Sequence, residues 1–406
     1  MANRIFIAGT GRNAGKTSIS LGLAESLINE DYRVGYMKPI AQRYAVVDGK
    51  KVSEDVLLMK EFFGLKESPT DMSPFIVEEG FTDKYIKGEV KSPKNKIIRA
   101  YKRIEKGNDV VIIEGTGHAG VGSIFNLSNA DIARLLDARV LIVSEGGVGS
   151  TVDSLTLTNS LFKSQGCSVL GVIVNKVIEN KLEKIKTLLK KGIKKQNNLR
   201  IFGFLPYKSI LLEPTLLVVK KALNLSLINK GDEIISSPTW SKEIEKVIIA
   251  TMEPHVLMEE VTGTNDNVLI VTSSDRSDAI LAALTLYNSG VPNLLGVLLT
   301  GSKPPDSIIK VIEKTNLPIM IVDGNVYSIA YLIHDLTVKI TQKDEMKINI
   351  LTGLFDNYID KEPLLEGIFT QPEEKPDWLV KITEWWSKIK EFFSKIKEYF
   401  QKKPKT

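Results

Sequence analysis

An apolar run, Ile5-Phe-Ile-Ala8, leads directly into Gly9-Thr-Gly-Arg-Asn-Ala-Gly-Lys-Thr17. No other stretch constrains the possible folds as sharply. It reads as a buried strand, a glycine-rich loop and a helix over 18–28 opened by Lys-Thr. Glycines let backbone N–H groups turn toward phosphate oxygens, and the helix amino end adds partial positive charge from the same side. Lys16 would reach the β- and γ-phosphates, and the Thr17 hydroxyl would ligate Mg2+. Five residues separate Gly9 from Gly15, one more than the usual spacing. A plain surface turn is the alternative, but strand, glycines, Lys-Thr and helix all agree on phosphate binding. The expected nucleotide-contacting set is Gly11, Asn13, Ala14, Gly15, Lys16, Thr17 and Ser18, with ATP and Mg2+ as ligands.

The surrounding pattern is α/β. Strands are expected over 4–8, 34–37, 110–114, 140–144, 170–175 and 201–205, alternating with helical segments. Short apolar runs of this kind suit a doubly wound, mostly parallel sheet covered on both faces, with ligands at the carboxyl ends of its strands. A first domain over 1–225 follows. A second, smaller α/β domain is expected over 240–340: a helix over 241–260, strands over 268–272, 294–300 and 319–322, and helices over 277–289, 305–315 and 326–335. An acidic, proline-dotted linker over 341–376, partly flexible, would join it to an amphipathic helix over 377–403.

Four further residues fit a phosphate site. Lys38 follows the second strand, where its ammonium would meet a substrate or γ-phosphate, unless it is an exposed loop lysine. Asp55 precedes a helical run and either serves the site or caps that helix. Glu114 ends an apolar strand before Gly115-Thr-Gly-His-Ala-Gly120. A carboxylate there is poorly placed for plain solvation and well placed to face Mg2+. Asn175, after the fifth strand, would read a base by paired amide hydrogen bonds or simply form a turn. His118 lies in the glycine loop, where it would face phosphate or stand as a loop histidine with no catalytic part; His255 and His334 have no partner pattern.

Together these residues resemble the dethiobiotin synthetase group of P-loop proteins, over about residues 1 to 220. The resemblance implies that Thr17, Asp55 and Glu114 hold Mg2+, that Lys16 and Lys38 carry the chemistry on phosphate and carbamate, and that Asn175 reads adenine. In the second unit, Ser273-Ser-Asp-Arg-Ser-Asp278 and Leu298-Leu-Thr-Gly301 resemble the DRTGG domain, with Ser302 where that family has a second glycine. That domain accompanies the same P-loop module in the N-terminal, regulatory half of long phosphate acetyltransferases and in stand-alone proteins. A stand-alone pair is expected here, without acetyl transfer. Asp275, Arg276, Thr300 and Gly301 would bind a small-molecule effector, or Asp275 and Arg276 would form a helix cap and a surface ion pair.

Composition narrows the partners. The eight Lys and three Glu from Trp378 onward account for the whole formal charge of +5, which leaves the body neutral and gives no general nucleic-acid surface. A single cysteine, Cys167, suits a reducing cytoplasm. Ser387-Lys-Ile-Lys-Glu-Phe-Phe393 is followed by Ser394-Lys-Ile-Lys-Glu-Tyr-Phe400. This repeat puts aromatics on one helical face, which calls for cover by the body, a second copy in a homo-oligomer, a partner protein or a membrane surface. Three functions are consistent with these readings. The first is a regulatory or switch ATPase, in which nucleotide orders the loop after Glu114 and signals to the second domain. The others are an ATP-dependent ligase or carboxylase of the dethiobiotin synthetase type, and a nucleotide-binding scaffold that recruits through its tail.

Overall fold

The computed structural model describes residues 2–196, 199–229, 234, 237–336, 338–341 and 344–370. The amphipathic helix expected over 377–403 lies outside the described residues. The described residues divide into two compact units, one made of those up to Leu205 together with Leu354–Thr370, the other lying within Pro206–Gly353.

The first unit is built on a six-stranded sheet. Its strands are β1 (Asn3–Gly9), β2 (Val34–Met37), β3 (Val110–Glu114), β4 (Arg139–Glu145), β5 (Val169–Val177) and β6 (Ile201–Pro206), in the spatial order β6-β5-β4-β1-β3-β2. The pairs β5–β4, β4–β1, β1–β3 and β3–β2 are parallel. Ile5 to Ala8, Val110 to Ile113 and Val140 to Val143 are almost wholly buried, as expected for β-branched, apolar strands with helices on both faces. From central β1 the chain runs outward to β2, returns through β3, and only then crosses to β4. The strand order therefore reverses beside β1, and the loops after β1 and β3 open the crevice where doubly wound folds bind ligands.

Helix α1 (Lys16–Asn29) follows β1, α2 (Glu54–Phe63) follows a short hairpin of Tyr44–Val47 with Lys50–Ser53, and α3 (Lys94–Ile104) precedes β3. Three more helices, α4 (Asn129–Leu135), α5 (Gly149–Ser164) and α6 (Leu182–Gln196), complete the crossovers.

The second unit has a five-stranded sheet of β7 (Ser226–Leu227), β8 (Lys246–Ile249), β9 (Val268–Ser273), β10 (Leu294–Thr300) and β11 (Ile319–Val322), ordered β7-β11-β10-β9-β8. Only the β7–β11 pair is antiparallel. Helices α7 (Leu216–Ala222) and α11 (Val326–His334) cover one face, through Leu216, Val219, Ile329 and Ile333. Helices α8 (Pro254–Thr262), α9 (Ser277–Asn288) and α10 (Asp306–Ile312) cover the other, through Leu257, Ala283 and Ile312.

Three expectations are corrected. The helix anticipated over 241–260 is instead strand β8 followed by α8. The β-branched run Val247-Ile-Ile249 prefers a pleated surface, and Pro254 keeps Glu253 extended at φ −63°, ψ 150°. The linker expected over 341–376 is helical over α12 (Glu345–Tyr358) and α13 (Lys361–Phe369). There Ile348, Leu351, Phe355, Leu364 and Ile368 are buried, and the Asp360 N–H donates to the Phe202 carbonyl on β6 at 2.7 Å. The boundary expected near 225 falls at Leu205, because Leu216 and Val219 belong to the second core.

Candidate functional site

The loop between β1 and α1 is held from both sides. The Thr10 N–H donates to the Val143 carbonyl of β4 at 3.0 Å. Gly15, at φ 94° and ψ 30°, turns the chain into α1, a conformation natural to glycine. A Cβ there would lie 2.0 Å from the Asn175 Nδ2. Of the expected nucleotide-contacting residues, Ala14 and Lys16 are buried, Gly11, Gly15, Thr17 and Ser18 are half-buried, and Asn13 is exposed. The Lys16 ammonium donates to the carbonyls of Gly11 at 3.1 Å and Arg12 at 3.3 Å. It also donates to the carbonyl of Gly117, 2.9 Å away in the loop after β3.

The centre of the site is Glu114, at the carboxyl end of β3 and only 1% exposed. Its Oε1 accepts from the Thr17 hydroxyl at 2.9 Å and the Lys38 ammonium at 2.7 Å. Its Oε2 accepts from Ser20 at 3.1 Å and Tyr36 at 2.8 Å. A carboxylate stripped of water is tolerable only with such compensation. Lys38 also pairs with Asp55. Burial alone would lower the Lys38 ammonium's pKa, but the carboxylates of Glu114 and Asp55 outweigh it and hold the value above that of an ordinary lysine. Burial, then the charges of Glu114 and Asp55, raise the Tyr36 phenol well above its usual value, so it stays a donor.

The structure thus brings together Lys16, Thr17, Lys38, Asp55 and Glu114. Lys38 is not an exposed loop lysine. Asp55 is not the cap of α2: it is the second residue of that helix, with Ser53 at the cap position. Asn175 lies near the carboxyl end of β5. Its Nδ2 donates to the Ala14 carbonyl at 3.1 Å and its Oδ1 accepts the Lys176 N–H at 2.9 Å, so the amide braces the glycine loop. His118 is exposed and its Nδ1 accepts the Gly120 N–H at 3.2 Å. Ser20 and Tyr36 were not singled out from the sequence. The available signal was a hydroxyl in each of two otherwise apolar buried segments, which must find a partner.

The donor set suits Mg2+. Hard oxygen ligands, few carboxylates and room for water and phosphate are what that ion takes, and Thr17, Asp55 and Glu114 supply a hydroxyl and two carboxylates. Among the described residues no group of three or more His, Cys, Asp or Glu side chains forms a metal cage, so phosphate or water would complete the shell.

In the second unit the expected residues sit at the carboxyl ends of β9 and β10. Thr300 is buried, Gly301 has φ 94°, and Asp275 is exposed. Arg276 grips Asp278 through two 2.8 Å bonds, and its Nη2 donates to the Met252 carbonyl at 3.0 Å. Its guanidinium therefore ties the start of α9 to the segment after β8.

A glycine loop with its lysine after the central strand, and a buried carboxylate ending the neighbouring one, define a P-loop nucleotide-binding domain. The chain belongs to the AAA domain family (AAA_26), whose model matches residues 3–215, and a DRTGG domain matches residues 228–336. A phosphate acetyltransferase of Nitratidesulfovibrio vulgaris is 28% identical over 375 residues, covering 90% of this chain and 51% of the relative. One of Pseudomonas putida is 31% identical over 369 residues, covering 87% and 50%. The chain thus spans about half the length of these relatives. Among solved structures, the MinC:MinD cell division protein complex of Aquifex aeolicus is 15% identical, with 52% of this chain and 84% of that one covered and a TM-score of 0.33.

Proposed function

We propose that this chain is an ATP- and Mg2+-binding switch whose nucleotide site is read out by the loop after β3. The observation that carries the proposal is the Lys16 ammonium bound at once to the carbonyls of Gly11, Arg12 and Gly117. A polyphosphate in the glycine loop is a stronger partner for that ammonium than neutral carbonyls are. Its arrival would draw Lys16 from Gly117 and so loosen or re-seat residues 115–122. The Asn129 side chain donates to the carbonyls of Thr116 at 2.9 Å and His118 at 2.7 Å, so α4 would feel the same movement.

Thr17, Asp55 and Glu114 would hold Mg2+, which when bound neutralises charge on the terminal phosphates. Ser20 and Tyr36 keep the Glu114 carboxylate aimed, and the buried setting excludes competing water. The second unit would take a small polar effector near Thr300 and Gly301. The relatives are named for acetyl transfer to phosphate; the present proposal concerns the half of their length that this chain matches.

The test is equilibrium binding of a fluorescent ATP analogue with Mg2+, together with ATP turnover. The parent should bind and turn over slowly, and Lys16→Ala should lose binding. A Lys16→Ala chain that binds as the parent does would overturn the site. Turnover that rises on adding a diamine and bicarbonate would replace the switch with a ligase of the dethiobiotin synthetase type.

A further inference from the structure

Two buried carboxylates in the first unit share one ammonium. Asp55 is 5% exposed, Glu114 1% and Lys38 7%. The Lys38 backbone is pinned, its N–H donating to the Met72 carbonyl at 2.7 Å, but its four-carbon side chain is a flexible stem. The two oxygens of Glu114 differ. Oε2 is held by Ser20 on α1 and Tyr36 on β2, both fully buried. Oε1 faces the Thr17 hydroxyl and Lys38, whose ammonium also meets Asp55. The half of the carboxylate with exchangeable partners is therefore the half that faces Thr17 and Asp55, where a metal ion would be held.

We infer that Lys38 is a resident counter-cation that occupies the divalent metal's position and competes with it. This rests on the Mg2+ reading above. Without a cation, Asp55 and Glu114 would face each other as like charges out of water, which is severely unfavourable. Lys38 removes that penalty in the metal-free protein. It also makes metal alone a poor ligand, since the ion must expel an ammonium that has nowhere better to go. A polyphosphate beside the site supplies that destination: the ammonium swings to phosphate oxygen while the metal takes the carboxylates. Metal and polyphosphate then bind cooperatively, and the site stays free of loose divalent ions until nucleotide arrives.

The experiment is Mn2+ binding to the full chain, followed by electron paramagnetic resonance of the free ion, with and without ADP. Without ADP, Lys38→Met should bind Mn2+ at least about tenfold more tightly than the parent, because a competing charge is gone. Lys38→Arg, which keeps a cation, should show no such gain. In the parent, ADP should raise Mn2+ affinity; in Lys38→Met the rise should be smaller. Equal Mn2+ affinity of Lys38→Met and parent without ADP would overturn the inference. So would an equal gain in Lys38→Arg, which would assign the effect to space rather than charge. Should Lys38→Met melt too low for titration, its melting midpoint in millimolar Mn2+ is read instead. A rise larger than the parent's supports competition, and an equal or smaller one refutes it. Failure of the nucleotide site itself is separable, because the parent would then not bind the fluorescent ATP analogue at all.

Discussion

Replacing Gly15 by alanine tests the architecture of the glycine loop at one atom. Gly15 sits at φ 94°, and the added Cβ would fall 2.0 Å from the Asn175 Nδ2. The left-handed backbone costs an alanine about 1–2 kcal/mol. The clash expels the Asn175 amide from the Ala14 carbonyl, forfeiting a hydrogen bond worth about 0.5–1.5 kcal/mol. Gly15→Ala should therefore destabilise the first unit by about 1.5–3.5 kcal/mol. Native-state hydrogen exchange of β1 and α1 amides reads that unit's opening free energy separately from the other unit. Asn175→Ala alone should cost about 0.5–1.5 kcal/mol. Because both substitutions lose the same hydrogen bond, the double variant should be less destabilised than their sum by about that amount. Additive effects would show that Asn175 does not brace the loop, and a Gly15→Ala chain as stable as the parent would refute the strained turn.

Gly22 on α1 would place a Cβ 2.5 Å from the Phe355 ring. Gly22→Ala, which helix propensity favours by about 1 kcal/mol, should instead destabilise the first unit in chemical unfolding, and Phe355→Ala should cost about 3–5 kcal/mol. Hydrogen bonds from the Arg33 side chain and backbone hold the Asp109 carboxyl at about 2, below its ordinary 3.8. Its contribution is thus present above pH 4 and disappears as the pH falls toward 2. The stability difference between parent and Asp109→Asn, small for so exposed a pair, should close over that window in acid titrations of the unfolding midpoint. Arg276→Ala should lower the melting of the second unit by about 1 kcal/mol while leaving binding of the ATP analogue unchanged; a loss of that binding would contradict its assignment to the second unit's own packing.

Much of the first unit was legible because its signals are local. A β-branched run ending in glycines, with Lys-Thr opening a helix, specifies strand, loop and helix within seventeen residues. Glu114 stood out because a carboxylate closing an apolar strand must be compensated. Local signals also misled. Residues 241–260 carry helix-like spacing, yet neighbouring β9 recruits 246–249 as a strand, pairing Lys246 with Val268 through Ile249 with Val271. Residues 345–369 looked like a linker, because Glu345, Asp356, Asp360, Glu362, Glu366 and Pro363 interrupt them, and their apolar side chains become a helical face only against a core, as where Phe355 meets Gly22. Tyr36 and Ser20 read as core, and their hydroxyls became site residues only once Glu114 stood beside them.

The sequence by itself determined the α/β class, the phosphate loop, the two-unit division in outline and the identity of the charged side chains available to a metal site. Those follow from periodicity and from chemistry carried by adjacent residues. Only the tertiary structure decided that Lys38 reaches across 17 residues to Asp55 and 76 to Glu114, and that the Asn175 amide turns onto the loop. Electrostatic partnership in a dry interior depends on which groups are a few ångströms apart, and strand order, not chain order, sets that distance.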